Sequence, residues 1–205
     1  MKKLLIGCLV LIVGVPLLLV LVAVFALNDT YSVERETTIA ATPVAVHATV
    51  GDLTTWPEWS AWNTQKDPEV KFTFSEPASG VGAVWEWNSP GPLKSGSLTL
   101  TRSSVAEGVH YDLVFEDGGR EYRSTGSLVF AADGAGTKVT WTNGGQLDGV
   151  VEKLFGLLMD AMMGPDFEAG LRGLKSRLEG SASDEAAPDA APGDGEGDGA
   201  GDVER

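Results

Sequence analysis

The fold class is decided by the stretch VHYDLVF at residues 109–115. Tyr111, Leu113 and Phe115 fall on one side of an extended chain, and the polar His110 and Asp112 fall on the other. An alternation of period two is typical of a β-strand with one buried face and one wet face. We therefore expect a strand here whose buried face is largely aromatic.

The same alternation recurs in five further runs between residues 70 and 143. Turn sequences such as DGG at residues 117–119 and DGAG at residues 133–136 separate the runs. The pattern predicts six successive antiparallel strands in a meander that is wet on one side. The side chains expected on the buried face of the other five strands are Phe72, Phe74, Ala83, Trp85, Trp87, Leu98, Leu100, Leu128, Phe130, Val139 and Trp141.

A further strand and a short helix are predicted upstream of the meander. Residues 31–39 alternate and are rich in β-branched side chains, which favours a first strand. Thr42 followed by Pro43 is a helix start signal, since threonine caps the free N–H groups and proline suits the first helical position. We expect this helix to end near Val50.

Three tryptophans, Trp56, Trp59 and Trp62, follow at a spacing of three residues. This spacing favours a short helix or 3₁₀ turn with all three rings on one side. The rings could cover a ligand site as its lid, plug one end of the sheet, or rest at a membrane interface, where tryptophan is enriched. The indole N–H groups would supply polar contacts in the first case.

The period becomes helical after Gly145. One long helix is expected to cover the sheet with its apolar stripe. The stripe consists of Val150, Leu154, Leu157, Leu158, Ala161, Met162, Phe167, Leu171, Leu174 and Leu178. Because proline lacks a backbone donor and restricts the residue before it, we expect a bend at Gly164 and Pro165, with Pro165 opening the second half.

An uncharged apolar segment spans residues 4–27. As a helix it would be about 36 Å long, which is enough to cross a hydrocarbon core of about 30 Å. We expect a transmembrane anchor within residues 1–28. Lys2 and Lys3 precede the segment and acidic residues follow it, so the positive-inside rule places the N-terminus in the cytoplasm. The domain would then be extracytoplasmic, on the periplasmic side of a bacterial inner membrane.

Charge and composition bound the rest of the chain. Residues 29–179 form the expected domain and carry 21 acidic and 12 basic side chains, which disfavours nucleic acid as a partner. Residues 180–205 are acidic, rich in Gly and Ala and free of aromatic residues, so we expect them to be disordered. The single cysteine is Cys8, and neither histidine has a second one four residues away. We expect no metal site and no cofactor.

Four sequence motifs in order resemble the SRPBCC superfamily, in its polyketide cyclase/dehydrase and START-like branch. The motifs are WPEWSAW at residues 56–62, GAVWEW at 82–87, GTKVTW at 136–141 and GPDFEAGLRGLK at 164–175. The resemblance implies an α+β helix-grip fold, in which a curved antiparallel sheet of about seven strands wraps around a long C-terminal helix. It also implies a hydrophobic small molecule held between sheet and helix.

A curved sheet around one helix leaves a concavity that only large side chains or a ligand can fill. The residues expected to line or plug it are Trp56, Trp59, Trp62, Phe74, Trp85, Trp87, Arg102, Tyr111, Phe115, Tyr122, Trp141, Phe155, Leu158, Met159 and Met162. Methionines suit an adaptable apolar surface, because they repack around varied shapes.

Three functions remain open at this point. The first is a membrane-anchored binder or carrier of a lipid or polyketide-like molecule, without catalysis. The second is a polyketide cyclase/dehydrase-like enzyme, in which Arg102, Tyr111 and Tyr122 would polarise or deprotonate a carbonyl compound. The third is a protein-interaction module of the cell envelope, which predicts a cavity plugged by tryptophan and an exposed apolar patch elsewhere.

Overall fold

The computed structural model of the chain describes residues 10–25 and 27–185. Within them, seven strands form one antiparallel sheet in the order β1-β7-β6-β5-β4-β3-β2. The strands are β1 (Thr30–Ile39), β2 (Lys71–Phe74), β3 (Val84–Asn88), β4 (Ser95–Ser104), β5 (Gly108–Asp117), β6 (Arg120–Asp133) and β7 (Gly136–Gln146). The sheet curves around a C-terminal helix that packs against β1, so the predicted helix-grip architecture is confirmed.

The two ends of the sheet differ in what covers them. The proximal end is the end at which β1 begins and Thr30 pairs with Gln146, the last residue of β7. The turns of the β3–β4 and β5–β6 hairpins lie at this same end. At the distal end, where β1 stops, the chain enters short helices. These are α2 (Pro43–Val50), a 3₁₀ turn (Leu53–Thr55) and α3 (Trp56–Trp59). The distal end is therefore closed by helices, and the proximal end is bordered by hairpin turns.

The short helices begin where the sequence predicts. The Thr42 side chain accepts a hydrogen bond from the Ala45 N–H at 3.3 Å and Pro43 occupies the first turn, so α2 starts with both predicted signals in place. Asp52 caps the 3₁₀ turn through the Thr54 N–H at 3.0 Å. A backbone hydrogen bond from Leu53 to Ala78 ties the turn to the β2–β3 loop.

The C-terminal helical segment breaks earlier than predicted. It consists of α4 (Val150–Gly156) and α5 (Met159–Glu185), and α5 continues through Pro165. Helix α5 is therefore not divided at Pro165, and the prediction that Pro165 opens a second half is wrong. The residues around Pro165 are held from outside the helix, since Arg35 on β1 pairs with Asp160 and Glu168. Arg35 thus ties the turn before Pro165 and the turn after it to β1.

Helix α5 ends at Glu185, six residues beyond the predicted domain boundary at 179. The first residues of the predicted disordered tail are thus helical. Residues 186–205 of the predicted tail lie outside the described residues.

The N-terminal segment contains a π-helical turn (Val10–Gly14) followed by α1 (Val15–Phe25), which contacts α4. Neither these helices nor any other helix within residues 10–25 and 27–185 combines the length and apolarity needed to span a bilayer. The predicted transmembrane helix over residues 4–27 is therefore not confirmed. Residues 4–9 and residue 26 of that prediction lie outside the described residues.

Candidate functional site

The space between sheet and α5 is filled by aromatic side chains. Trp56 and Trp59 enter it from α3, Trp85 from β3 and Trp141 from β7, and each is at most 2% exposed. Trp56 is central, because its ring lies 4.9 Å from Trp59, 6.0 Å from Trp85 and 6.0 Å from Trp141, measured between ring centroids. The strand alternation and the tryptophan spacing in the sequence therefore converge on one cluster.

Helix α5 closes this cluster from the side opposite the sheet. Phe167 stacks on Trp141 with centroids 4.3 Å apart and an interplanar angle of 6°. A Cβ atom at Gly173 would come within 2.2 Å of the Trp59 carbonyl oxygen, so α5 packs directly on the backbone of α3. Glycine at this position allows the two helices to approach. The distal half of the interior is consequently tightly packed.

Most of the buried indole groups have hydrogen-bond acceptors. The N–H of Trp56 donates to the Val50 carbonyl at 2.9 Å, and that of Trp87 to the Leu93 carbonyl at 3.1 Å. The Trp141 N–H donates to the Tyr111 hydroxyl at 2.9 Å. These bonds orient the rings, since a buried indole usually finds a partner for its single donor.

Trp85 is different. Its Nε1 is the sole buried side-chain nitrogen or oxygen without a hydrogen-bond partner in the part of the chain that the structure describes. The ring is 0% exposed and lies 5.5 Å from Phe72, 6.4 Å from Phe74 and 5.2 Å from Trp87. A buried donor left unpaired costs about 1 to 3 kcal/mol. The interior thus contains one polar position that would gain from an acceptor.

A second polar position in the interior is fully paired. The Tyr111 hydroxyl accepts from Trp141, and Asn143 beside it bonds to Tyr31 at 3.2 Å and to Ser124 at 3.2 Å. Burial raises the pKa of Tyr111 to about 12, against the opposite effect of its hydrogen bonds to Trp141 and Asn143. The phenol therefore stays protonated at neutral pH.

The proximal part of the interior is less completely covered. Half-buried apolar side chains form a rim there, which we call the proximal rim. Its members are Trp62, Phe72, Phe115, Met159 and Met163. Trp62 does not lie on the same side as Trp56 and Trp59, although the sequence predicts that it does. It stacks on Trp87, with ring centroids 6.0 Å apart. The three tryptophans are thus split between the core and the rim.

The loop of residues 60–70 crosses this rim and is fastened on both sides. Lys66 forms an ion pair with Asp166 on α5. The carboxylate of Asp67, only 1% exposed, accepts from the Leu93 N–H at 3.0 Å in the β3–β4 hairpin. Burial raises the pKa of Asp67, but hydrogen bonds from Leu93, Ser89 and Glu69 and the charge of Lys94 together outweigh burial, so the pKa lies below its ordinary value.

Five predicted lining residues lie away from the interior. They are Arg102, Tyr122, Phe155, Leu158 and Met162. Arg102 is exposed on the outer face, because a register shift between Leu100 and Arg102 interrupts the alternation and pairs Arg102 with His110. Tyr122 is 48% exposed at the β5–β6 hairpin. Of the three residues predicted as catalytic helpers, only Tyr111 projects into the interior.

Phe155, Leu158 and Met162 are also displaced from the predicted lining. They are 52%, 52% and 60% exposed, whereas Met159 and Met163 turn toward the core. The apolar patch expected of an interaction module is therefore present, alongside a tryptophan-filled interior.

Two open surface depressions lie elsewhere, and both are polar. One of about 500 Å³ lies between the β3–β4 and β5–β6 hairpins and includes Lys94 and Arg120. Another of about 320 Å³ lies on the outer face around Arg102 and His110. Neither is the apolar space expected between sheet and α5, which is occupied by the aromatic side chains.

Sequence reasoning missed several residues that build the site. Phe72 belongs to the predicted alternation, and its place on an edge strand beside Trp85 puts it at the rim. Phe167 was expected only as part of the helical stripe. Nothing in the sequence of β1 indicates a role for Arg35. Its neighbours Gly164 and Glu168 both belong to the fourth motif, and Glu168 forms an ion pair with it. A Cβ atom at Gly164 would lie 2.1 Å from the Arg35 guanidinium, at the far end of that flexible side chain.

A curved antiparallel sheet gripping a C-terminal helix over an aromatic interior defines a helix-grip domain of the SRPBCC type. The chain belongs to the family described as polyketide cyclase/dehydrase and lipid transport, whose model matches residues 30–179. The predicted superfamily is thus confirmed. Among curated proteins, none matches this chain in sequence.

Solved structures share the fold at low sequence identity. The di-domain ARO/CYC StfQ from the steffimycin biosynthetic pathway has a TM-score of 0.58 at 13% identity, over 75% of this chain and 52% of that protein. A protein of unknown function, SA2116 from Staphylococcus aureus, has a TM-score of 0.56 at 14% identity over 76% and 98%. Protein CV1439 from Chromobacterium violaceum has a TM-score of 0.54 at 14% identity over 72% and 96%. These likenesses describe the fold.

Proposed function

We propose that this domain binds an apolar small molecule between the sheet and α5, and that the molecule carries an oxygen acceptor for the Trp85 indole N–H. The observation that carries the proposal is the unpaired Trp85 Nε1 within aromatic surroundings. Apolar binding sites use few polar groups to orient a ligand, and one unpaired donor meets that description. An acceptor placed there would give the Trp85 N–H the hydrogen-bond partner that it lacks.

Entry of the ligand requires side chains to move, since the interior is filled. The proximal rim is the part that can do so, because Trp62, Phe115 and Met159 are half-buried and border solvent. Methionine repacks at low cost, and flat aromatic side chains can slide against a flat ligand. In this proposal, Trp56 and Trp59 at the distal end do not move when the ligand enters, and they form the inner end of its site.

The ligand class that we favour is a lipid or polyketide-like carbonyl compound. The family's description names both polyketide chemistry and lipid transport, and StfQ belongs to a biosynthetic pathway. Binding or carriage is favoured over catalysis, because the Tyr111 hydroxyl is already engaged by Trp141 and is held protonated by its raised pKa. A catalytic base needs a pKa near the working pH.

The proposal includes a membrane location, with the domain on the periplasmic side of a bacterial inner membrane. It is supported by the uncharged residues 4–27, by Lys2 and Lys3 before them, and by the exposed apolar side chains of α1. Fractionation after carbonate washing tests the attachment, and protease protection of a C-terminal tag in spheroplasts tests the orientation. Recovery of the chain in the washed supernatant would contradict this part alone.

Binding is tested on the full chain purified in native membrane discs, first by lipid extraction and mass spectrometry. A matched ligand pair then isolates the hydrogen bond: acetonaphthone carries a carbonyl oxygen, and ethylnaphthalene has nearly the same shape without it. We expect acetonaphthone to bind about tenfold more tightly, which corresponds to about 1.4 kcal/mol.

The variant Trp85→Phe should abolish this preference and leave ethylnaphthalene binding nearly unchanged. Trp87→Phe is the matched control, because the Trp87 N–H is already bonded to Leu93 and should not contribute to the preference. Equal binding of the two ligands by the wild-type chain, or no binding of either, would refute the proposed role of Trp85.

A further inference from the structure

The beginning of the C-terminal helical segment presents a row of apolar side chains to solvent. Val151, Leu154, Phe155, Leu158 and Met162, which we call the α4–α5 ridge, are 59%, 36%, 52%, 52% and 60% exposed. Isolated exposed apolar residues are ordinary in proteins, but a contiguous row marks a surface that meets another apolar phase.

The ridge is one continuous face. Its members are separated by three, one, three and four residues, which places them on one side of a helix with 3.6 residues per turn. Two backbone hydrogen bonds hold the junction between α4 and α5: the Leu158 N–H donates to the Phe155 carbonyl at 2.8 Å, and the Met162 N–H donates to the Leu158 carbonyl at 3.0 Å. Met159 and Met163 lie on the other side and pack against the core.

The position of the ridge identifies what covers it. Helix α4 follows β7 and α1 precedes β1, and these strands meet at the proximal end of the sheet. Helix α1 contacts α4, and its own side chains are exposed and apolar, including Leu17, Leu18 and Phe25. The ridge is therefore continuous with the one other apolar surface of the described chain that projects from the same end.

Two charged residues beside the ridge, Lys153 and Asp160, form ion pairs. Lys153 pairs with Asp29 just before β1, and Asp160 pairs with Arg35, which holds the pKa of Asp160 below its ordinary value. Salt bridges next to the ridge lower the cost of bringing it to an apolar phase. The acidic domain would gain nothing from anionic headgroups, so an uncharged lipid surface is the better match.

We propose that the α4–α5 ridge lies in the interfacial layer of a lipid bilayer, beside α1, so that the proximal end of the sheet faces the membrane. The ridge resembles an interfacial helix, whose apolar side enters the boundary between headgroups and acyl chains. This inference rests on the proposed membrane location. It adds a second contact, made by the folded domain itself, and it fixes the orientation of the domain.

The test uses the full chain with Cys8→Ser, so that a single engineered cysteine can be labelled with an environment-sensitive fluorophore. Leu158→Cys reports on the ridge, and Val44→Cys, 62% exposed on α2 at the distal end, is the control. In phosphatidylcholine discs containing a spin-labelled lipid, we expect the label at residue 158 to be quenched at least about twofold more than the label at residue 44. Equal quenching at both positions would overturn the inference.

Two further outcomes separate this inference from its alternatives. A ridge label that is shielded without lipid quenching, in proportion to protein concentration, would show a second copy of the chain on the ridge and overturn the inference. If the chain is not retained in membranes, the same labelled proteins are mixed with phosphatidylcholine vesicles. Selective quenching at residue 158 would then support the ridge as a membrane contact, although the proposed membrane anchor would be refuted. The absence of such quenching would overturn both the ridge inference and the proposed membrane location.

Discussion

The two parts of the C-terminal helical segment have similar apolar sequences and opposite surroundings. In the later part of α5, Phe167, Leu171 and Leu174 are at most 3% exposed against the sheet and α3. At the start of the segment, the equally apolar Phe155 and Leu158 are both 52% exposed. The difference teaches that helical periodicity shows where an apolar face lies, but the partner of that face depends on the rest of the fold.

The largest effect is expected from truncating the buried part. Phe167→Ala removes the ring stacked on Trp141 and should lower the free energy of unfolding by about 3 to 5 kcal/mol. Leu158→Ala, the exposed counterpart, should change it by less than about 0.5 kcal/mol. Urea unfolding monitored by circular dichroism measures both. Similar losses for the two variants would break the comparison.

A pair of glycine variants sharpens the comparison between buried and exposed positions within α5. Gly173→Ala places a methyl group against the Trp59 backbone and should destabilise the protein by about 1 to 3 kcal/mol. Gly180→Ala meets nothing within 4 Å and should stabilise the helix by up to about 1 kcal/mol. Thermal unfolding of both variants checks the opposite signs. A stabilising Gly173→Ala would show that α5 is less tightly seated on α3.

The polar contact beneath Phe167 gives a smaller effect that depends on pH. Tyr111→Phe leaves the Trp141 N–H without its acceptor and should cost about 1 to 2 kcal/mol at neutral pH. The pKa of Tyr111 is about 12 in the folded protein and 10.0 ordinarily, so the fold favours the protonated phenol. The stability that results is fully present below pH 10 and is lost as the pH rises toward 12.

The measurement is urea unfolding between pH 7 and pH 11. The variant should lose less stability than the wild type over the upper part of this range, because it lacks the phenol that titrates. Parallel alkaline profiles would contradict the assigned pKa of Tyr111, and an unchanged stability at pH 7 would contradict its role as the acceptor for Trp141.

The smallest effect is expected at Asp67, whose loop is tied to α5 where the exposed and buried parts meet. Its pKa is lowered in the fold, so its contribution is present above the unfolded pKa near 3.8 and lost as the pH falls through the lower folded pKa. Asp67→Asn should therefore destabilise the protein at pH 7, and the difference from the wild type should shrink as the pH falls below about 3.8. Acid titrations of the two proteins check this, and a difference that persists in acid would contradict it.

Much of the interior could be predicted from the sequence. The alternation that includes Trp85, Tyr111 and Trp141 fixes which side chains share the inner face, because a strand has a strict period of two. The Thr42 and Pro43 signals likewise fix the start of α2, since capping is a local interaction. Local rules of this kind determine the order of the elements and the aromatic character of the interior.

The failures have physical causes outside the local sequence. The bulge after Leu100 turns Arg102 outward, and no turn residue announces it. Pro165 lies inside α5, and Arg35, more than a hundred residues away in sequence, pairs with this helix on both sides of it. The unpaired donor of Trp85 is likewise a property of its neighbours. Such features depend on tertiary contacts, which override local preference.

The aromatic interior has an optical consequence. All six tryptophans of the chain lie in this cluster or stacked on it, with several ring centroids within 6.0 Å of one another. Indoles at such separations share excitation, so their transitions couple and give a chiral near-ultraviolet signal that depends on the relative angles of the rings. Any molecule that separates Trp85 from Trp87 would alter this signal, and the unlabelled protein therefore carries its own spectroscopic reporter of what enters it.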